Sequence, residues 1–328
     1  MLSVPAGFTV ELRRFTVTKG RGHTAGGIVN YGTLTLTGST VSENTANPDD
    51  AFQGAGGIVN SGILALTNST VSENTSDGIL NGGTVTLSDS TVSGNTGFGI
   101  VTVGETLTMT NSTLSGNTSD GIFNYGGTVA LTNCTVSGNG SSGLSNRDDG
   151  TVTLVNTLVD DTCFGLDEAV FVSGGHNIES PGNTCGFDTN KGDQIDVTAE
   201  QLNLGPLQHN GGPTMTHALL TEPAPSVAID VIPEEECGVD VDQRRVSRPR
   251  GDACDVGAVE MDLACLGVDN LAECVEGNFT GFCVADICWA IDCSDLEDGI
   301  TCLYPGEVDV GPGLCVAGSC EPGWPLPL

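Results

Sequence analysis

The sequence predicts an all-β chain: a parallel β-helix solenoid, then irregular final coils, then a small disulfide-rich C-terminal module. Three observations carry this. A segment of about twenty residues recurs six times between Gly26 and Asp161. Inside each copy, apolar residues alternate with threonine and serine, which is the pattern of strands with one face in and one face out. Eight of the 13 cysteines fall after residue 264, in a tail without a single Lys or Arg.

The copies come first. GGIVNYGTLTLTGSTVSENT at 26–45 returns as GGIVNSGILALTNSTVSENT at 56–75. Their opening apolar residues are Ile28, Ile58, Ile79, Ile100, Ile122 and Leu144, at steps of 30, 21, 21, 22 and 22. A period near 22 with short β-rich segments means a solenoid. Each copy is punctuated by Asn-x-Gly after its first strand (Asn30, Gly32) and by Asn-Thr after its last (Asn44, Thr45), where left-handed backbone is cheapest. Three short strands per copy close their hydrogen bonds only with the copies above and below, about 4.8 Å away and parallel.

Stacking turns each inward position into a column. The isoleucines above and Leu144 form one. Leu36, Leu66, Leu87, Met109, Leu131 and Leu154 form a second, and Val41, Val71, Val92, Leu114, Val136 and Val159 a third. Asn44, Asn74, Asn95, Asn117 and Asn139 read as an amide ladder at a corner. Extra residues are confined to corners: residues around Asn47, Pro48, Asp49 and Asp50 form an outward loop, and Asn146 to Gly150 lengthen another corner. At the other end, Phe8 to Leu12 and Phe15 to Thr18 read as rungs already under way, so an N-terminal cap is expected upstream.

Three zones follow: 1–162 as β-helix rungs, 163–262 as final coils and cap, and 263–328 as the cysteine-rich module. Their acidic excess is 8, 13 and 11 charges, giving the net charge of −32. Such a surface repels nucleic acid and anionic membranes. No run of 18 apolar residues is present, so no helix spanning a membrane is expected. Cys134 sits in a copy where the others carry Ser39, Ser69, Ser90 and Ser112, and reads as a packed thiol. Cys163, Cys185, Cys237 and Cys254 lie in the middle zone. Cys265, Cys274, Cys283, Cys288, Cys293, Cys302, Cys315 and Cys320 crowd the last. That density in a tail with little to bury is a disulfide framework, and eight cysteines leave 105 pairings open. An oxidising compartment is implied, hence an extracellular or cell-surface location.

The stretch Asn203-Leu204-Gly205-Pro206-Leu207-Gln208-His209-Asn210-Gly211-Gly212-Pro213-Thr214, followed by Thr216-His217-Ala218-Leu219-Leu220, resembles a family of bacterial exported proteins named for a choice-of-anchor Q domain. The resemblance extends through Ala228-Ile229-Asp230, Asp242-Gln243-Arg244, Arg248-Pro249 and Cys254 to Glu260, and through the GGIxNxGxLTLxxSTxSxN repeat. Related repeats occur in polymorphic outer-membrane proteins, and the fold class resembles the right-handed, pectin-lyase-like parallel β-helix. The resemblance implies export and a structural or adhesive role. It also implies pairing of Cys163 with Cys185 and of Cys237 with Cys254. The chain departs from the family in showing no signal sequence and in carrying a cysteine-rich module where an anchor is expected.

Candidate sites are sparse. Glu43 and Glu73 stack in adjacent rungs, Asp49 and Asp50 lie in the nearby loop, and Asp77 and Asp120 flank Phe98. Stacked carboxylates suggest calcium, but later copies place Gly94, Gly116 and Gly138 at the Glu43 position, which suggests an outward site facing water. Tyr31 and Tyr125 sit at corners where rings can stack on sugars. No Lys or Arg lies between Arg21 and Arg147, so the walls offer no base or positive groove for a polyuronate. The four histidines, His23, His176, His209 and His217, show no metal or triad spacing. Arg244, Arg248 and Arg250 are expected to pair with local carboxylates such as Asp230 or Asp242. The expectation is a non-enzymatic scaffold that binds a glycan or protein at the cell surface. The alternative is a polysaccharide lyase or glycoside hydrolase, and exposed rung edges leave end-to-end self-association open.

Overall fold

A computed structural model describes residues 1–46 and 54–261, together with the backbone of six strands between 273 and 322. Residues 1–202 with 256–258 form one compact unit, and residues 203–255 with those from 259 onward form a second.

The first unit is a parallel β-helix of eight coils. Its strands assemble into three eight-stranded sheets, each of whose members pair in parallel with the coil before and the coil after. The first wall runs from Leu2–Val4 through Ile28–Asn30 to Leu144–Arg147 and Cys163–Gly165. The second runs from Thr9–Arg13 through Thr33–Thr37 to Val170–Gly175, and the third from Thr16–Thr18 to Ile178–Glu179. The coils therefore continue past residue 162, through Cys163–Gly165, Val170–Gly175 and Ile178–Glu179.

Burial explains why the copies can be read as columns. Ile28, Ile58, Ile79, Ile100, Ile122 and Leu144 are stacked in register and inaccessible to solvent. The Leu36 and Val41 columns are buried in the same way, joined by a fourth column through Leu34, Leu64, Val85, Leu107, Val129 and Val152. Burying a Val, Leu or Ile side chain contributes about 1.5–3 kcal/mol, and one unbroken cluster of this kind runs from Val4 to Phe187.

Corners are closed by polar ladders. Each asparagine amide of the Asn44 series donates to the side chain below at 2.9–3.1 Å, and Asp161 takes the last bond from Asn139. A second ladder, Asn30 to Asn60 to Asn81 to Thr102, resumes between Asn124 and Asn146 at the corner after the first wall. Ser39, Ser69 and Ser90 pass their backbone N–H to the hydroxyl of the next coil at 3.1–3.2 Å. Cys134 continues this series as a buried thiol outside any disulfide, its Sγ 3.3 Å from the Thr132 carbonyl. These bonds satisfy backbone donors that would otherwise be buried unpaired.

The last coil is tied by the Cys163–Cys185 disulfide. Buried Glu179 accepts from the backbone of Thr184 and Cys185 beside it, at 2.6 and 2.9 Å.

In the second unit, Leu204–Gln208 pairs antiparallel with Thr216–Leu219, and Cys237 is bonded to Cys254. Two of its four arginines are held in buried ion pairs. Arg244 pairs with Asp242 at 2.8 Å, as expected, whereas Arg248 pairs with Glu260 at 2.9 Å. Asp230 instead accepts the backbone N–H of Ala253 at 3.2 Å. His217 is buried with Nδ1 2.7 Å from the Gly205 carbonyl, while His209 is exposed. Six strands, Glu273–Glu276, Phe279–Val284, Ile287–Ala290, Thr301–Pro305, Val310–Val316 and Ser319–Pro322, form one sheet in chain order. Adjacent members are antiparallel except for the parallel contact of Ile287–Ala290 with Thr301–Pro305. The eight tail cysteines and the expected disulfide framework lie outside the residues whose side chains are described.

Candidate functional site

The outer face of the first wall departs from ordinary surface chemistry. In a strand the residue after each inward isoleucine must point outward, and here that column reads Val29, Val59, Leu80, Val101, Phe123, Ser145 and Phe164. Its first five members are at most 9% exposed, packed with Ala25, Ala55 and Phe98 from the segments that lead into the strands. Phe98 meets Phe123 with ring centroids 5.2 Å apart.

Ser145 is the small residue in this column, with Phe123 in the coil before it and Phe164 in the coil after. Two rungs separate the rings, about 9.6 Å, which leaves a slot one planar group wide. Arg147, two residues on and therefore on the same face, fills it. Its guanidinium carbon lies 5.3 Å from the Phe123 centroid and 5.2 Å from that of Phe164. Both distances suit cation–π attraction. Its Nε is buried without a hydrogen-bond partner, and no ion pair among the described residues includes it.

Two carboxylates border the strip. Asp120 accepts the Ser142 N–H at 3.1 Å; burial pushes its carboxyl above the ordinary range, opposed by a bond from Ser145 and the charge of Arg147. Asp77 is 3% exposed; its Oδ1 accepts the Phe98 N–H at 3.0 Å, and its Oδ2 has no partner. Desolvation pushes that carboxyl up to about 7. Tyr125 stands beside Arg147 in register, 45% exposed, and its hydroxyl bonds Asp148, which raises the phenol above its usual value.

Tyr125 joins the strip. Tyr31 occupies the equivalent position four coils earlier, about 19 Å away at one rung per 4.8 Å, and is also exposed. Glu43 and Glu73 are exposed at the corner after the third wall, both with φ of 54°. Gly94, Gly116 and Gly138 adopt φ of 64–68° at the same position. That left-handed backbone is the physical reason glycine alternates with glutamate there. The coil of Glu73 is four rungs from that of Arg147, so these glutamates do not meet the strip. Asp49 and Asp50 lie outside the described residues. No group of three or more His, Cys, Asp or Glu side chains suited to a metal occurs among the described residues. No helix among them is long and apolar enough to cross a membrane.

Arg147 is the residue the sequence reading misplaced. It looks like part of the corner insertion 146–150, but it ends the strand Leu144–Arg147 and lies on the wall. The signal was available: in the outward column a serine stands between two phenylalanines, with a cation two residues further on.

A family profile described as "Right handed beta helix region" matches residues 8–132 and 57–203. No curated protein matches. Among solved structures, the "Crystal structure of pectate lyase Pel9A" superposes with a TM-score of 0.46 at 15% identity, over 76% of this chain and 65% of that one. The chain thus spans under two thirds of that protein's length.

Proposed function

We propose, since the chain belongs to the right handed beta helix region family, that it is an exported surface protein of the choice-of-anchor Q kind. In this reading it holds a short saccharide on the first wall without cleaving it. The observation that carries the reading is Arg147, whose guanidinium carbon lies between the Phe123 and Phe164 rings, with no ion pair to it among the described residues and its Nε left without a hydrogen-bond partner. A guanidinium fixed by ring faces on both sides keeps its N–H edge for an incoming oxygen, and it loses little conformational freedom on binding. The neighbouring exposed rings of Tyr125 and Phe164 supply a surface on which a sugar ring can stack.

Charge limits the ligand. A single guanidinium on the first-wall strands, in a chain with 42 acidic and 10 basic residues, suits a saccharide carrying at most one carboxylate, and the rest of the surface repels a polyuronate. Export fits the two disulfides, which persist in oxidising compartments.

The test is a glycan array probed with the purified chain, followed by titration of the best ligand. Arg147→Ala removes a charge-assisted hydrogen bond and should weaken binding by about 10- to 100-fold, with an unchanged circular-dichroism spectrum. Arg147→Lys, which keeps the charge but not the planar fork, should fall between. Equal affinity of wild type and Arg147→Ala would refute the assignment.

A further inference from the structure

The second wall carries a different surface. Its strands from Thr33–Thr37 to Thr151–Val155 stack without a break in register, so their outward residues form a net of three columns and six rows. Thirteen of those 18 positions are threonine, and none is charged, in a chain with 52 ionisable Lys, Arg, Asp and Glu residues. The densest part lies in four consecutive coils: Thr84, Thr106, Thr128 and Thr151 in one column, with Thr86, Thr108 and Thr153 beside them. All are at least partly accessible to solvent.

The spacing of this net is set by backbone hydrogen bonding. Rungs repeat at about 4.8 Å and outward residues along a strand at about 6.7 Å. Those two repeats, nearly at right angles, lie close to the oxygen repeats across and along the prism face of hexagonal ice. Threonine's branched Cβ restricts χ1, so each site presents a methyl and a hydroxyl in a fixed orientation. The inward Val85, Leu87, Leu107 and Met109 are fully buried and hold the strands rigid.

We infer that this threonine face of the second wall binds an ordered water lattice, that is, the surface of ice. A neutral, regularly spaced face is complementary to a neutral lattice, whereas the acidic remainder of the chain favours liquid solvent. A crystalline polysaccharide is the competing occupant, and the chemistry argues against it. No aromatic ring, amide or carboxylate is present among the 18 positions to stack on or read a sugar. The inference is independent of the saccharide reading, which concerns the first wall.

The experiment grows ice slowly from a dilute solution of the full chain on a cold probe and measures protein in the ice fraction. Crystal habit is observed in parallel. The wild type should be enriched in ice and should shape the crystals. Thr108→Lys, placed at the centre of the net, should lower incorporation at least ten-fold. A more conservative Thr108→Val, which keeps the methyl groups and the fold, should lower it less. Glu73→Lys, at the corner after the third wall, and Arg147→Ala should leave it unchanged. Exclusion of the wild type from ice would overturn the inference. So would equal incorporation of a folded Thr108→Lys, or adsorption to microcrystalline cellulose without enrichment in ice.

Discussion

Asp77 is a buried carboxylate with one oxygen hydrogen-bonded and the other left without a partner. Its carboxyl is pushed up to about 7, because burial penalises the charged form more than the Phe98 N–H favours it. In the unfolded chain the same group ionises near its ordinary value of 3.8. Below that value both states are protonated and the burial costs little. As pH rises towards 7 the unfolded state loses its proton first, so the folded state is progressively disfavoured, and above about 7 the penalty is constant. Asp77→Asn should therefore stabilise the β-helix at pH 8, by about 2–4 kcal/mol from the size of that shift, and change little at pH 4. Denaturant titrations of both proteins at the two pH values check this. Glu73 offers a second test. With φ of 54°, a side chain there is strained relative to glycine, so Glu73→Gly should raise stability by about 1 kcal/mol. The glycines of later copies made this position legible in sequence as an outward corner. Arg147 becomes legible as a wall residue only when three consecutive coils are aligned, because its place depends on the slot that Phe123, Ser145 and Phe164 form together.

At the scale of strands and corners, the inward columns were readable because alternation and constant steps leave only one face to bury. Val92→Asp should unfold the first unit, since an unpaired buried carboxylate costs on the order of 4 kcal/mol or more. The corner ladder is the less obvious contributor. Asn95 accepts from both the backbone and the amide of Asn74 and donates to Asn117 and Val71. Asn95→Leu preserves volume but strands these partners in the interior, at a cost of about 2–4 kcal/mol. Thermal melts of Asn95→Leu beside Asn139→Leu, whose lower partner is the carboxylate of Asp161, should show both destabilised. The second ladder, from Asn30 to Asn146, was marked in sequence only as a turn signal. Irregular spacing and the intrusion of Thr102 hide it until the coils are stacked.

Across the whole chain, the acidic excess and the disulfides divide the roles. Coils from Val4 to Val159 are held by apolar columns and contain no cross-link. Reduction should cost the end of the stack about 3 kcal/mol, the loop-entropy value for a closure of this length, and leave the strand signal of the earlier coils intact. Circular dichroism with and without reductant reads this directly. The tail, which lacks any Lys or Arg and holds eight cysteines, should show those thiols oxidised in mass spectra of protein prepared under oxidising conditions. In the proposed function the first wall retains a saccharide and does no chemistry on it. The direct measurement is to incubate the chain with its best array ligand and with pectate and alginate, with and without calcium, and to follow new reducing ends and unsaturated uronate absorbance. Every saccharide should be recovered intact, with the ligand retained through Arg147. Product formation that disappears when Glu43 and Glu73 are both changed to Gln would contradict it and make those two glutamates an active site.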